Sequence, residues 1–569
     1  MNGQRALLLE PNAASPNLVG GYGGNFVYSG VHGATVSGGG SYSYANRVSD
    51  GYGTVGGGAY NLAGNLNAAT GDARYATVGG GYTNTATAEN ATVGGGQGND
   101  ATAYAATVSG GLENASTGAA GTVGGGTANS ATAMATVAGG MNNVATGGSA
   151  SIGGGGWNQA LANYATIAGG GPSNAAYPTF TNNVVYDEYG TIGGGGNNWA
   201  GNNDGNTTTA TYATVGGGQG NQAMAQYVTV GGGLYDVADG LNSTIGGGYA
   251  NTARGENDTI GGGRENYTTG PSTTVAGGYT NAATGDHATV GGGYDNSAGG
   301  HDSSVGGGYN NVANGPRATI GGGYINQATA NAATIPGGAN NTASGAYSFA
   351  AGAGANATHD GSFVWSSSVQ TDSWGNGTFT ARAPGGVRFY SSSIDTSTGV
   401  QLSAGGGSFL NLCDRNAKQN FASVDGEQLL ATLATVPVQS WNLKAQPEAI
   451  RHVGPTAQDF NGGFAYLFGQ VEDEHYINSG DVAGISLAAA QGLYERSQAQ
   501  AERIASLESE NASLSGKVET LEQRLAALEQ GGVRQTEADA FPVGLWLSLG
   551  GVLLGGVVLG GQAHRRGRR

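Results

Sequence analysis

Lysine does not occur before position 418, cysteine occurs once, and proline supplies only 12 of the 569 residues. Without lysine, the Gly-rich stretches of the first 417 residues cannot be phosphate loops, which need Gly-Lys followed by Ser or Thr. A single cysteine permits no disulfide within the chain and leaves the redox compartment unread. So little proline beside 113 glycines excludes a collagen helix, in which a third of residues are glycine and proline is abundant. Charged residues make up 10% and the net charge is −17, so the basic face that nucleic acid demands is missing and no nucleic-acid partner is expected. The core of an ordinary compact enzyme would need more Leu, Ile and Phe. The calcium-binding Gly-Gly-x-Gly-x-Asp string does not recur as a repeat, and neither a metal nor a cofactor is expected.

What is present is a period. The string Thr-Val/Ile-Gly-Gly-Gly recurs, and from Val215 to Ile335 every step between its Val or Ile residues is 15. From Val78 to Ile167 the steps are 15 with one of 14. Six residues after each branched residue stands a polar one, nearly always asparagine: Asn84, Asn99, Asn114, Asn221, Asn251, Asn266, Asn281, Asn296, Asn311, Asn326 and Asn341, with Asp236 the exception. Two positions on comes a small residue such as Ala86, Ala101 or Ala253. One branched residue per turn cannot bury a core alone, but a stack can, with Val on Val and a hydrogen-bonded asparagine ladder. Helix is excluded, since a glycine triplet in each repeat costs about 3 kcal/mol relative to alanine. The expected fold is a mainly β, Gly-rich parallel solenoid.

This pattern resembles the head repeats of trimeric autotransporter adhesins, over residues 17–365. The resemblance implies a left-handed parallel β-roll, three copies of which pack side by side. With ~20 turns at roughly 4.8 Å each, the roll would run about 100 Å. Two longer spacings, Ile167 to Ile192 and Ile192 to Val215, hold Tyr177, Phe180, Tyr186, Tyr189 and Trp199. They read as loops leaving the shaft, either packed back on it or offered to a ligand.

After Trp365 the repeat ends, and residues 366–407 read as a β-rich connector. A short amphipathic helix is expected at Gln428–Leu433, a strand at Val436–Leu443 and a helix at Gly484–Glu495. Within this region Cys413-Asp414-Arg415-Asn416-Ala417-Lys418 looks like the Ser-Asp-x-x-x-Lys opening of the peptidase S74 family, the intramolecular chaperones of phage tailspikes and endosialidases. Pro437-Val438-Gln439-Ser440-Trp441, Arg451 to Phe460 and Gly484 to Leu493 follow in family order. The resemblance implies a small α+β chaperone domain at 408–497 that trimerises the upstream fibre and cleaves itself off before the Ser. Carried over, the nucleophile is Cys413, the base Lys418 and the scissile bond Leu412–Cys413. The departure is Cys for Ser: a thiol is the better nucleophile, but sulfur is larger and oxidisable. Self-cleavage, or a clamp that has lost it, therefore both stay open. For His452 a structural hydrogen bond is favoured over catalysis, and Lys418 has the alternative of a solvated cation.

Residues 498–530 carry heptads, with Ile504, Asn511, Val518 and Leu525 at one core position and Leu507, Leu514, Leu521 and Leu528 three residues on. Leucine at every second core position leans toward dimers, against the trimer that the roll implies; the trimer is retained. A linker at 531–539 leads to an uncharged run, 540–561, long enough for a single C-terminal transmembrane helix. It contains the pairs Gly551/Gly555 and Gly556/Gly560 and is followed by a basic tail at 562–569, which the positive-inside rule places in the cytoplasm. Residues 1–16 show no signal peptide, and a start further upstream is expected. The reading is a membrane-anchored, trimeric, adhesin-like surface fibre with a chaperone domain that self-cleaves before Cys413 if the thiol supports it. A surface glycan or host ligand is its expected target. The alternative is a released tailspike-type fibre that binds or cleaves glycans. Cleavage would need paired carboxylates, and the sparse candidates are Asp187, Glu188, Asp204, Asp236 and Asp239.

Overall fold

The computed structural model describes residues 6–391, 399–411, 413–468 and 475–531. They divide into two units, the repeats up to Val387 and a smaller unit that includes the chain from Phe409 on.

The first unit is a parallel β-solenoid of about 24 turns. Each turn contributes two strands of two residues. Thr92–Val93 pairs in parallel with Thr77–Val78 before it and Thr107–Val108 after it, Val on Val, while Asp100–Ala101 pairs with Thr85–Ala86 and Ala115–Ser116 in a second sheet. The branched residue and the facing alanine are fully buried in turn after turn, and these small side chains form one thin continuous core. The turns outnumber the repeats of the Thr-Val/Ile-Gly-Gly-Gly string because the stack continues where the string is lost. Asn17–Gly20 opens it, and Phe349–Ala353, Phe363–Ser366 and Phe379–Arg382 extend the same sheet past Trp365. In these last turns phenylalanine replaces threonine and the rings stack at 4.6 and 4.8 Å. Leu7–Glu10 pairs antiparallel with Asn17–Gly20 and covers the first sheet edge, which would otherwise offer unpaired backbone groups.

The asparagines form the ladder that their period implies, including Asn129, Asn143, Asn158 and Asn198. Asn99 shows the pattern: its Oδ1 accepts the backbone N–H of Asn114 at 2.9 Å, and its Nδ2 donates to the carbonyls of Gly95 in its own turn and Gly111 in the next. A buried amide is thus satisfied at every lone pair and proton it must satisfy. The third glycine of the triplet is required for two reasons. Gly96 has φ +91, and a Cβ there would collide with the carbonyl oxygen of Gly111.

Asp236 interrupts the ladder. Its Oδ1 accepts from the backbone and side-chain nitrogens of Asn251 at 2.8 and 2.9 Å, but Oδ2 is buried with no partner, and a carboxylate has no proton for the glycine carbonyls. Burial pushes its pKa up, against the hydrogen bonds from Asn251. Asp236→Asn is therefore expected to stabilise the protein by about 1–3 kcal/mol at neutral pH, the cost of a buried unsatisfied polar group. Because the folded pKa is raised, the wild-type penalty is absent below the unfolded value and grows as pH rises through the folded one. Denaturant melts of both proteins at pH 4 and pH 7.5 check this: the variant's advantage should be larger at the higher pH.

Of the two long spacings, Pro172–Thr181 and Asn202–Thr209 are the insertions, and the strands Val184–Val185, Thr191–Ile192 and Trp199–Ala200 belong to regular turns. Tyr177 and Phe180 are exposed on the first. Tyr186, Tyr189 and Trp199 lie outside these insertions, on regular turns of the stack. Trp199 lies in the strand Trp199–Ala200, its indole meets the Tyr186 ring edge-on at 5.9 Å, and Tyr189 belongs to a stack Tyr164, Tyr189, Tyr212, Tyr227 with ring centroids 4.8, 4.8 and 5.2 Å apart. The extra residues are accommodated between turns, and the period resumes in register.

The second unit contains a three-stranded sheet of Val387–Tyr390, Gly399–Leu402 and Phe409–Asn411, and an antiparallel pair of Gln439–Trp441 with His452–Gly454. Helices α1 (Gly426–Leu433), α2 (Ala457–Phe468) and α3 (Ser479–Gly531) complete it. Asp425 caps α1, accepting from the N–H groups of Glu427 and Gln428. Leu429, Val436, Phe460, Phe464, Ile485 and Ala489 form its small core. Gly426 and Gly492 let α1 and α3 touch, since a Cβ on Gly492 would lie 3.0 Å from the Cα of Gly426. The helix expected at 484–495 and the heptad segment are one continuous helix, α3, whose heptad residues are exposed in the single chain. Among the described residues no helix is long and apolar enough to cross a membrane, and the expected span at 540–561 and basic tail at 562–569 lie outside them.

Candidate self-cleavage site

Strand Phe409–Asn411 delivers the chain to Cys413, the free and exposed cysteine. Asp414 then starts a single 3-10 turn, Arg415–Ala417, by accepting the N–H of Asn416 at 2.9 Å. Lys418 closes it, its N–H donating to the carbonyl of Arg415 at 3.2 Å. The turn reverses the chain, so that Lys418 returns to Cys413 and its Nζ donates to Sγ at 2.9 Å. The two sequence-predicted site residues are thus brought together. Leu412, the other half of the expected scissile bond, lies outside the described residues.

The pKa of Lys418 is raised, first by the hydrogen bond to Cys413, then by the charge of that sulfur, with a smaller contribution from Asp481 near the start of α3. This is the opposite of a lysine held neutral to accept a proton. As an ammonium it can pair with a thiolate and later give up a proton. Asp481 is distant in sequence and carried no local signal there.

His452 is occupied elsewhere. Its Nε2 meets Gln446 Oε1 at 2.8 Å and its ring stacks on Trp441 at 4.9 Å, while the Trp441 indole donates to the carbonyl of Gly454. Arg451 donates to the Ser440 carbonyl at 2.7 Å. These contacts fasten the antiparallel pair.

The five acidic residues considered for glycan cleavage each hold a turn. Asp187 is buried and accepts the N–H groups of Asn202 and Ala210 across the base of an insertion; burial raises its pKa. Asp204 accepts from Asn206 N–H and the Thr209 hydroxyl, which lower its pKa. Glu188 accepts from Asn163, Asp236 sits in the ladder, and Asp239 lies 3.7 Å from Arg254.

Residues 413–462 match the family model Peptidase S74, described as the chaperone of endosialidase. The match begins at Cys413 itself, so the chain carries this chaperone segment after a parallel β-solenoid. No curated protein matches the chain.

Proposed function

We propose that the protein is a membrane-anchored, trimeric, adhesin-like surface fibre whose C-terminal domain assembles three solenoids and then cuts the chain before Cys413. The observation that carries this is an S74 match that follows a stack of near-identical turns. Slipping two such solenoids by one turn sets Val on Val and Asn on Asn again, so the shaft specifies its own register weakly. A folded clamp at one end supplies that register. The exposed stripe of Ile504, Leu507, Leu514, Val518, Leu521 and Leu525 along α3 supports a parallel coiled coil as part of the clamp. The apolar run at 540–561 supports the anchor.

For the cut, the Cys413 thiolate, paired with the Lys418 ammonium, attacks the carbonyl carbon of Leu412. The S–C bond forms and the C–N bond breaks, and the departing amine of Cys413 takes a proton from Lys418. Water then hydrolyses the thioester, leaving a carboxylate on Leu412 and regenerating the thiol. In the second reading, the cut frees a glycan-binding fibre; the exposed stacked tyrosines Tyr294, Tyr309 and Tyr324 favour it as a binding surface.

The chaperone role is tested by expressing the chain ended after Leu412 beside the full chain. The yield of soluble trimeric solenoid should fall at least tenfold without the domain. Equal yields would overturn the role.

A further inference from the structure

Two of the chain's seven histidines come together on the outside of the solenoid. His287 and Asp302 are 15 residues apart and occupy the same corner of successive turns, with φ +57 and +55. His301 immediately precedes Asp302. Their backbones are pinned by the stack: the N–H of His287 donates to Pro271, that of Asp302 to Asp286, and the carbonyl of His301 accepts from Arg317 at 2.7 Å. His287 Nδ1 lies 3.4 Å from Asp302 Oδ1, and His301 Nδ1 lies 2.8 Å from Asp302 Oδ2. The two imidazoles meet edge to face with centroids 5.6 Å apart, and one ligand atom from each of the three residues falls within 4.8 Å of the others.

We propose that His287, His301 and Asp302 form a surface site for a divalent transition ion of the zinc class. Ligand atoms around a tetrahedral zinc at 2.0–2.1 Å stand about 3.3 Å apart; each imidazole here is 2.8 or 3.4 Å from one oxygen of the shared carboxylate, and small side-chain rotations close the 4.8 Å set onto an ion. Two imidazole nitrogens with one carboxylate select zinc, nickel or copper over calcium or magnesium, which take oxygen ligands. Three protein ligands on one exposed corner leave a coordination position open to water or to a donor from a bound molecule. The ladder and core run inside the turns, so ion binding requires no rearrangement of either.

Isothermal titration of the full chain with zinc chloride tests the site, with His287→Ala, His301→Ala and Asp302→Asn beside it and Cys413→Ala as a control for the thiol. One ion per chain is expected, with affinity at least tenfold weaker in each of the three site variants and unchanged in Cys413→Ala. His287→Gln and an unchanged thermal melt guard against a folding defect. Absence of saturable binding would overturn the site, as would binding that survives both histidine substitutions or disappears with Cys413→Ala.

Discussion

Asn281→Ala is expected to destabilise the solenoid by about 2–4 kcal/mol, because it leaves one buried N–H without a partner at roughly 1–3 kcal/mol and removes two half-buried hydrogen bonds at ~0.5–1 kcal/mol each. Asn281 Nδ2 donates to the carbonyls of Gly277 and Gly293, both at 2.9 Å, and its Oδ1 accepts the backbone N–H of Asn296 at 3.0 Å. Alanine satisfies none of them; the Gly293 carbonyl keeps the N–H of Tyr279 at 2.9 Å, whereas the buried N–H of Asn296 loses its acceptor. The loss is local in origin, since each turn touches only its neighbours, so the stack should open first around this turn. Asn242, exposed and with its side chain bonded to Asn257 at 3.1 Å, is the control; at φ +58, where alanine is less at ease than asparagine, its change to alanine should cost about 1 kcal/mol or less. Denaturant melts give the two magnitudes, and limited proteolysis locates the opening. A cost for Asn281→Ala as small as that for Asn242→Ala would mean that the ladder does not hold the stack.

Cys413→Ala is expected to abolish the cut altogether, because no other group on the residue can attack the Leu412 carbonyl. Lys418→Met should slow it by about 10²–10⁴, the usual worth of a positioned proton-transfer group. The 2.9 Å contact between Nζ and Sγ makes the lysine's effect depend on charge: Lys418→Arg keeps a cation beside the sulfur and should retain more cleavage than Lys418→Met. A lysine acting as a neutral base would leave Arg as inactive as Met, since arginine cannot give up its proton. Intact mass of the purified chain, followed over time, reads all of these as the appearance of a fragment ending at Leu412. Hydroxylamine should accelerate its release by intercepting the thioester.

The solenoid was legible because its constraints repeat. A branched residue, a glycine triplet and an asparagine at fixed offsets leave few other folds, and Asp236 stood out as the exception that the structure makes costly. The aromatic residues of the long spacings divide: Tyr177 and Phe180 stand exposed on an insertion, as the spacing implies. Tyr189 and Trp199 instead keep the stacking positions of their turns. Helix α2 was hidden by Gly462 and Gly463, poor helix formers in its middle; burial of Phe460 and Phe464 overrides that propensity. The Cys413–Lys418 contact followed from the family-like spacing, but the upward push that contact gives the lysine's pKa needed coordinates. His287 and Asp302 could have been paired from the 15-residue period alone. His301 joins them because the chain between the two turns leads straight into that corner.

The central claim is that the C-terminal domain assembles three chains into one fibre. Native mass spectrometry of the purified full-length chain tests it most directly. The account predicts a complex of three solenoids, as three intact chains or as three fragments ending at Leu412 once the cut has occurred. A monomer as the only species, cut or uncut, would contradict it.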